Sequence, residues 1–339
     1  MTFKFISPTR RAALAAAALL FAAGPGWADA PKTKLLVGFQ DWTLPETVGA
    51  SGVLEGAPYE IQWVVLPGPA SQLSALYSKA IDVGHMGDTS LIIEQGKSKT
   101  PWVAGEQPLQ IVAGWRATDA KYPPIITVGR AEAGVNTLED LRGKTWAFNF
   151  GGFNYVQYLL SSLKSGLGKK DFEPVQLADQ NATSAAFLSG KVDAFSGSTT
   201  VVAEAIEKGY AKVLQTSDEL GIPALNVLTA RGDVLRDPAK KAALADFLDR
   251  VRKHWAWYAA NTDRVEKLLI EKIKQSPARA KISTEYSKAT FQPLDTDLIK
   301  REQRIADVLF EAKAIPNKID VSLEFASEFN ASTVPTVQN

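Results

Sequence analysis

At 339 residues, with 45% hydrophobic and 22% charged content, the chain carries enough apolar material for two packed domains. A formal net charge of +1, with no basic run or zinc-ligand spacing, excludes a nucleic-acid-binding surface. Cysteine is absent, which excludes disulfides, thiol chemistry and cysteine metal sites.

Lys4, Arg10 and Arg11 precede an apolar stretch from Ala12 to Ala23, and Gly26-Trp27-Ala28 offers small residues where a signal peptidase reads. Residues 1–28 are expected to be a secretory signal peptide, too short and alanine-rich to span a membrane. Thr9-Arg10-Arg11 hints at twin-arginine export, but the usual Phe after the pair is missing, so secretion of the unfolded chain is the expectation. With no cysteine to carry a lipid anchor, the mature chain is expected free in a periplasm.

Lys34 to Gln40 reads as a buried strand and Tyr59 to Leu66 as a second. Pro67-Gly68-Pro69 then starts a helix with Leu73, Leu76, Tyr77 and Ala80 on one face. Ile81 to Gly84 is a short strand, Thr89 to Gly96 a helix and Leu109 to Gly114 a strand ending at Trp115-Arg116. The polar stretch from Ala117 to Pro124 predicts a crossover into a second lobe. That lobe opens with Ile125 to Val128. Thr137-Leu138-Glu139-Asp140 resembles a capping box. Trp146 to Asn149 reads as a strand, and Gly151-Gly152 leads into a helix with Tyr155, Leu159, Leu160 and Leu163 on one side. A return crossover is expected near Gly221-Ile222-Pro223, with Asn226 to Thr229 rejoining the first lobe. The remainder reads as helical, with long segments over Pro238 to Ala260 and Thr296 to Ala312, and a loose tail after Asn330.

Two stretches echo each other. Ser71 to Lys79, Ile81-Asp82-Val83 and Gly87-Asp88-Thr89-Ser90 are repeated as Thr183 to Lys191, Val192-Asp193-Ala194 and Gly197-Ser198-Thr199-Thr200. Each reads as a helix, a buried strand with one Asp, and a hydroxyl-rich turn opening another helix. A chain that builds one α/β half twice makes two lobes facing a ligand cleft. The expected fold is therefore α/β and two-lobed, each lobe a mostly parallel sheet flanked by helices. Residues 29–118 with 225–339 would form lobe 1, and 119–224 lobe 2.

No catalytic set is visible. His85 and His254 are the only histidines, and there is no G-x-S-x-G, P-loop or G-x-G-x-x-G run. His85 is expected to be a satisfied strand-end residue, and His254, Trp255 and Trp257 to serve helix packing. Binding features are stronger. Turns at Pro67-Gly68-Pro69, Gly87 to Ser90, Gly151-Gly152 and Gly197 to Thr200 precede helices, whose unpaired N–H groups receive anionic oxygens. Asp88, Ser198 and Thr199 as simple helix caps are the alternative. Trp42 and Trp115 each follow a strand and could sandwich an apolar ligand body. Arg116 either neutralises a ligand anion or is solvated.

Val37-Gly38-Phe39-Gln40, Pro67-Gly68-Pro69, Asp82-Val83-Gly84 with Gly87-Asp88-Thr89-Ser90, Leu138 to Lys144 and Gly190 to Phe195 together resemble periplasmic solute-binding proteins of ABC importers, in the aliphatic sulfonate, taurine and nitrate group. The resemblance covers essentially the whole mature chain. It implies a type II periplasmic-binding-protein clamshell that closes on its ligand and docks on a permease. It also implies cleft positions at Gln40, Asp88, Thr89, Gly152, Ser198 and Asn226. Gly151-Gly152-Phe153-Asn154-Tyr155 replaces the hydroxyl pair of sulfonate binders, and Ser198-Thr199-Thr200 replaces their tryptophan-containing run.

The expected function is capture of a small, sulfonate-like organic anion by a monomer that feeds an ABC permease in the inner membrane. The expected ligand-binding residues are Gln40, Trp42, Asp88, Thr89, Trp115, Gly152, Asn154, Ser198, Thr199 and Asn226. No catalytic residue, metal, cofactor or nucleic acid is expected. The alternatives are an aromatic or heterocyclic ligand stacked by Trp42, Trp115, Phe153 and Tyr155, an enzyme on this fold, or a sensor domain.

Overall fold

The structure, a computed structural model, describes residues 32–117, 120–168 and 170–334. The signal peptide expected over residues 1–28 and the end of the C-terminal tail lie outside these residues. Among the described residues, the strands form two sheets. The larger contains β1 (Thr33–Phe39), β2 (Tyr59–Val65), β3 (Val83–Gly87), β4 (Leu109–Ala117), β10 (Asn226–Arg231) and β11 (Ala289–Gln292), in the order β11-β4-β10-β3-β1-β2. The smaller contains β5 (Ile125–Arg130), β6 (Thr145–Asn149), β7 (Glu173–Leu177), β8 (Ala194–Ser198) and β9 (Ala211–Thr216), in the order β7-β6-β8-β5-β9.

The two orders follow one plan. A parallel trio, β2-β1-β3 or β7-β6-β8, is followed by an antiparallel strand arriving from the other lobe, β10 or β5. A further strand, β4 or β9, pairs antiparallel to that arrival. Both sheets are thus mixed. The parallel direction expected from sequence holds for each trio and its further strand, while the arriving strands and edge strand β11 run against it.

The repeated aspartates explain why the plan recurs. The N–H of Leu36 in β1 donates to Asp82 Oδ2 at 3.0 Å, and the N–H of Thr145 in β6 donates to Asp193 Oδ2 at 3.0 Å. Asp82 N–H reaches Leu36 O at 2.8 Å, and Asp193 N–H reaches Thr145 O at 3.0 Å. The ends of the arriving strands join the same knots. Arg231 N–H donates to Asp82 O at 3.2 Å, and Arg130 N–H donates to Asp193 O at 2.8 Å. One aspartate therefore ties three strands together in each lobe. Asp82 is also ion-paired with Arg231 at 3.2 Å and Lys240 at 2.7 Å.

The helices are α1 (Thr43–Ser51), α2 (Gly68–Tyr77), α3 (Ser90–Lys97), α4 (Phe153–Ser165), α5 (Gln180–Leu188), α6 (Ala203–Glu207), α7 (Gly232–Arg236), α8 (Pro238–Ala260), α9 (Thr262–Glu271), α10 (Pro277–Tyr286), α11 (Thr296–Glu311) and α12 (Asn330–Thr333). Helix α8 buries Leu244, Phe247, Leu248, Val251, Trp255 and Tyr258, spaced three and four apart, in the core that also holds Leu35, Val37 and Leu228. In the smaller lobe, Trp146, Phe148, Tyr158 and Phe172 form an aromatic core, with Phe148 stacked on Tyr158 at 4.0 Å.

Helix starts fall into two groups. Side chains cap α5 (Asp179), α8 (Asp237), α10 (Ser276) and α11 (Asp295). The residues preceding α1, α2, α3 and α4, namely Trp42, Pro67, Thr89 and Gly152, make no side-chain cap, although at α1 Asp41 Oδ1 accepts from Thr43 N–H at 2.7 Å. The capping box read at Thr137 to Asp140 opens only a 3-10 turn, Glu139–Leu141. Asp140 Oδ2 accepts from the N–H groups of Asn136 and Thr137, but Gly143 (φ 72°) turns the chain into β6 before a helix can grow.

Candidate ligand-binding cleft

In a parallel α/β sheet, ligands collect beyond the C-terminal strand ends. Here those ends in the two lobes face one cavity of about 280 Å³. The larger lobe contributes Gln40 after β1, His85 and Gly87 of β3, Trp115 to Ala117 of β4, and Asn226 at the start of β10. The smaller lobe contributes Asn149 of β6, Gly151 to Asn154 at the start of α4, Gln180 and Asn181 of α5, and Ser198 and Thr200. Helices α8 and α10 supply a further wall through Trp255, Tyr258, Arg279 and Ser283.

Of the residues expected from sequence, Gln40, Trp115, Gly152, Asn154, Ser198 and Asn226 line this cavity. The other four lie elsewhere. Trp42 precedes α1 and is 51% exposed, outside the cavity lining, so it forms no sandwich with Trp115. Thr89 is fully buried, and Thr199 turns its hydroxyl inward to donate to Pro123 O. Asp88 is buried in the interior, where Oδ2 accepts from Leu225 N–H at 2.7 Å and Oδ1 from Thr89 N–H at 2.8 Å. Asp88 N–H in turn donates to Leu225 O at 3.0 Å. The aspartate thus fastens β3 to the chain returning from the smaller lobe. Asp88, Ser198 and Thr199 do not cap helices either; Ser198 Oγ instead pairs with Thr200 Oγ1 at 2.9 Å.

The turn glycines serve lobe contact. A Cβ on Gly87 would lie 2.3 Å from Phe153 Cδ1, so the bare Cα of the larger lobe receives a phenyl ring of the smaller one. Gly152 has φ 96°, a conformation closed to side chains, and a Cβ there would meet Ser90 Oγ at 2.8 Å. The missing side chains at these turns admit the opposite lobe.

A row of rings floors the cavity. Phe39 stacks on His85 with centroids 4.0 Å apart, His85 faces Trp115 at 5.6 Å, and Trp115 meets Trp255 at 5.9 Å. His85 is a cleft residue, contrary to the strand-end expectation. Burial pushes its pKa down to about 4, so the ring is neutral. Its Nε2 lies 3.2 Å from Asn226 Oδ1 and Nδ1 has no protein partner. Tyr155, expected as a stacking residue, packs with Phe148 and Phe150 in the smaller lobe.

Arg116 borders the cavity but is committed. Its guanidinium donates to Asp218 Oδ1 at 3.0 Å, to Asp218 Oδ2 at 3.3 Å and to Pro223 O at 2.9 Å. It braces β4 against the chain leaving the smaller lobe. Sequence reasoning missed Asp41, His85, Asn149, Gln180, Trp255 and Arg279 as lining residues. The residues of α8 and α10 carry no sequence signal for it, because they reach the cleft through a fold-back of more than a hundred residues.

A family model for ABC-transporter phosphonate periplasmic substrate-binding proteins matches residues 55–295, and the chain belongs to this family. A protein of Escherichia coli K12 assigned to aliphatic sulfonate binding is 25% identical over 301 residues, covering 87% of this chain and 89% of the relative. The alkanesulfonate-binding protein SsuA from Xanthomonas axonopodis pv. citri, solved with MOPS, superposes with a TM-score of 0.72 at 22% identity, covering 87% of this chain and 99% of that one. The periplasmic aliphatic sulphonate binding protein SsuA from Escherichia coli gives 0.69 at 21% identity, covering 87% and 92%. These structural likenesses establish the two-lobed α/β periplasmic-binding-protein fold. The family function is to capture a small molecule and deliver it to the permease of an ABC importer.

Proposed function

We propose that this protein captures a small organic anion of the sulfonate or phosphonate class between its lobes for ABC import. The observation that carries the reading is the polarity of the cavity wall. It combines the uncapped starts of α2 and α4 with the amides of Gln40, Asn149, Asn154, Gln180 and Asn226, and Asp41 is the one carboxylate among the described lining residues. Uncapped helix starts and amide donors suit oxyanions. Lobe 1 is taken as residues 29–118 with 225–339 and lobe 2 as 119–224, which agrees with β4 ending at Ala117 and β10 beginning at Asn226. Export through residues 1–28 places the mature monomer in the periplasm. Binding without turnover is the proposed activity, since neutral His85 has no nucleophile among its hydrogen-bond partners.

The mechanism is lobe closure. Contacts made from both lobes at once exist only when the lobes meet, so a ligand bridging Gln40 and Asn154 shifts the balance toward the closed form. The row Phe39, His85, Trp115 and Trp255 favours a second reading, in which the anion carries an aromatic or heterocyclic body stacked on these rings.

A thermal-shift panel on residues 29–339 tests both readings. Alkanesulfonates, taurine, alkylphosphonates, nitrate, arenesulfonates, carboxylates and pyrimidines are compared. A ligand at about a thousand times its Kd adds roughly 4 kcal/mol, a rise of several degrees in Tm. A shift with sulfonates or phosphonates supports the proposal, and a confined arenesulfonate response supports the second reading. A shift only with uncharged compounds would falsify the anion reading.

A further inference from the structure

Two arginines line the cleft, and among the described residues only Arg116 has a side-chain partner. Arg116 is held by Asp218 and Pro223. Arg279, in the first turn of α10, makes no ion pair with any described residue, and its buried Nε has no hydrogen-bond partner. The carboxylates that act on it from a distance are Asp41, whose Oδ1 accepts from Thr43 N–H at 2.7 Å, and Glu204, which is paired with Lys208. Two neighbours on the same wall are also unsatisfied. Trp255 is 8% exposed, yet its Nε1 has no partner, and Gln275 Oε1 is likewise alone. Buried polar groups are seldom left unpaired, and several on one cavity wall mark the place of a missing group. Arg279 Nε and Trp255 Nε1 are both donors and call for an acceptor, whereas Gln275 Oε1 is an acceptor and calls for a donor elsewhere on the ligand. A guanidinium suits an oxyanion through its fork of N–H groups.

We propose that a subsite on α8 and α10 holds the anionic group of the ligand, with Arg279 as its counter-charge and Trp255 Nε1 as an added donor. This rests on the organic-anion reading and specifies which residue senses the charge. Asn154 and Gln40 then grip the remainder of the ligand and complete closure. Because α10 belongs to the larger lobe and packs beside α6 and the Thr199–Val201 turn of the smaller one, an anion held there sits at the seam between lobes.

The test separates charge from shape. Methanesulfonate and benzenesulfonate are titrated against their neutral isosteres, methanesulfonamide and benzenesulfonamide, by calorimetry. The proteins are the wild type, Arg279→Gln, Arg279→Lys and Asn154→Ala, each with its ligand-free Tm recorded. The expected result is a wild-type preference for sulfonate of at least about tenfold. Arg279→Gln should lose that preference at an unchanged ligand-free Tm, Arg279→Lys should retain part of it, and Asn154→Ala should weaken both members of a pair alike. A preference surviving in Arg279→Gln overturns the subsite while leaving the organic-anion reading intact. A wild type that does not prefer either sulfonate to its sulfonamide overturns the subsite, and one that binds neither the sulfonates nor methylphosphonate, titrated alongside them, overturns both.

Discussion

Phe153, at the start of a helix in the smaller lobe, rests its ring on Gly87, at the end of a strand in the larger lobe, where a Cβ would come within 2.3 Å. Closure on a ligand therefore depends on a residue that is absent of side chain. Gly87→Ala leaves each lobe's own core untouched and should preserve the ligand-free Tm. Affinity for the best anion of the panel should fall about tenfold or more, measured by calorimetry. Adding Phe153→Leu should recover part of the loss. Unchanged affinity in Gly87→Ala would show that the two lobes do not meet here in the bound state.

Asn154 and Thr199 separate binding from folding. Asn154 Nδ2 donates to Asn149 Oδ1 at 2.8 Å and to Gln180 Oε1 at 3.4 Å, holding two other cavity amides in place, so Asn154→Ala should weaken ligand binding about tenfold. Thr199 is fully buried and its hydroxyl donates to Pro123 O. Thr199→Ala should lower stability by about 1 kcal/mol, read by urea unfolding, and leave affinity unchanged. The reverse pattern would return Thr199 to the cleft.

The matched aspartates predict unequal penalties. Asp82→Ala takes from Arg231, which is 9% exposed, one of its two carboxylates (Asp233 remains), and leaves the Leu36 N–H without its acceptor; it should cost about 3–5 kcal/mol. Asp193→Ala leaves the Thr145 N–H and hydroxyl without their acceptor and should cost about 1–3 kcal/mol. Equal losses would mean that the ion pairs to Asp82 contribute nothing beyond the shared backbone knot.

Asp88, Glu302 and Glu324 are buried together, and the pH dependence follows from that. Burial pushes Asp88 up to about 6 and Glu302 and Glu324 well above the carboxylate range, with Asp88 raising both glutamates further. A raised folded pKa gives stability that is complete at low pH and is lost as pH climbs from the unfolded value of 4.5 toward the folded one. Each retained proton should cost about 1.4 kcal/mol per pH unit over that span. His85 and His254, both pushed down to about 4 by burial, act oppositely between 6.5 and 4. Urea unfolding above pH 6.5, past the histidine window, therefore isolates the buried glutamates. Glu302→Gln should show a shallower decline than the wild type, and parallel profiles would refute the account.

The lobes were readable because their signals are local. The repeated helix, Asp-bearing strand and turn predicted both halves, and Asp82 and Asp193 do the same work in each. Strands β7, β9 and β11 went unseen. β7 carries Glu173 and Pro174 and is half exposed, and β11 is a four-residue edge, so neither shows the apolar run that marks a buried strand. The cleft was half legible. Residues just past strand ends, such as Gln40, Trp115 and Asn226, could be placed by topology. Inward or outward direction could not, which is why Asp88 and Thr199 read as ligand residues while one fastens β3 to the returning chain and the other bonds to Pro123. Arg279 was invisible because only the packing of α10 across the seam brings it to the cavity.

A structure solved with the panel anion that gives the largest thermal shift tests the central claim most directly. The account predicts that anion inside the cavity, touching Gln40, Trp115 or Asn226 of one lobe and Asn154 or Ser198 of the other. An anion bound outside this cavity, or held by one lobe alone, would contradict it.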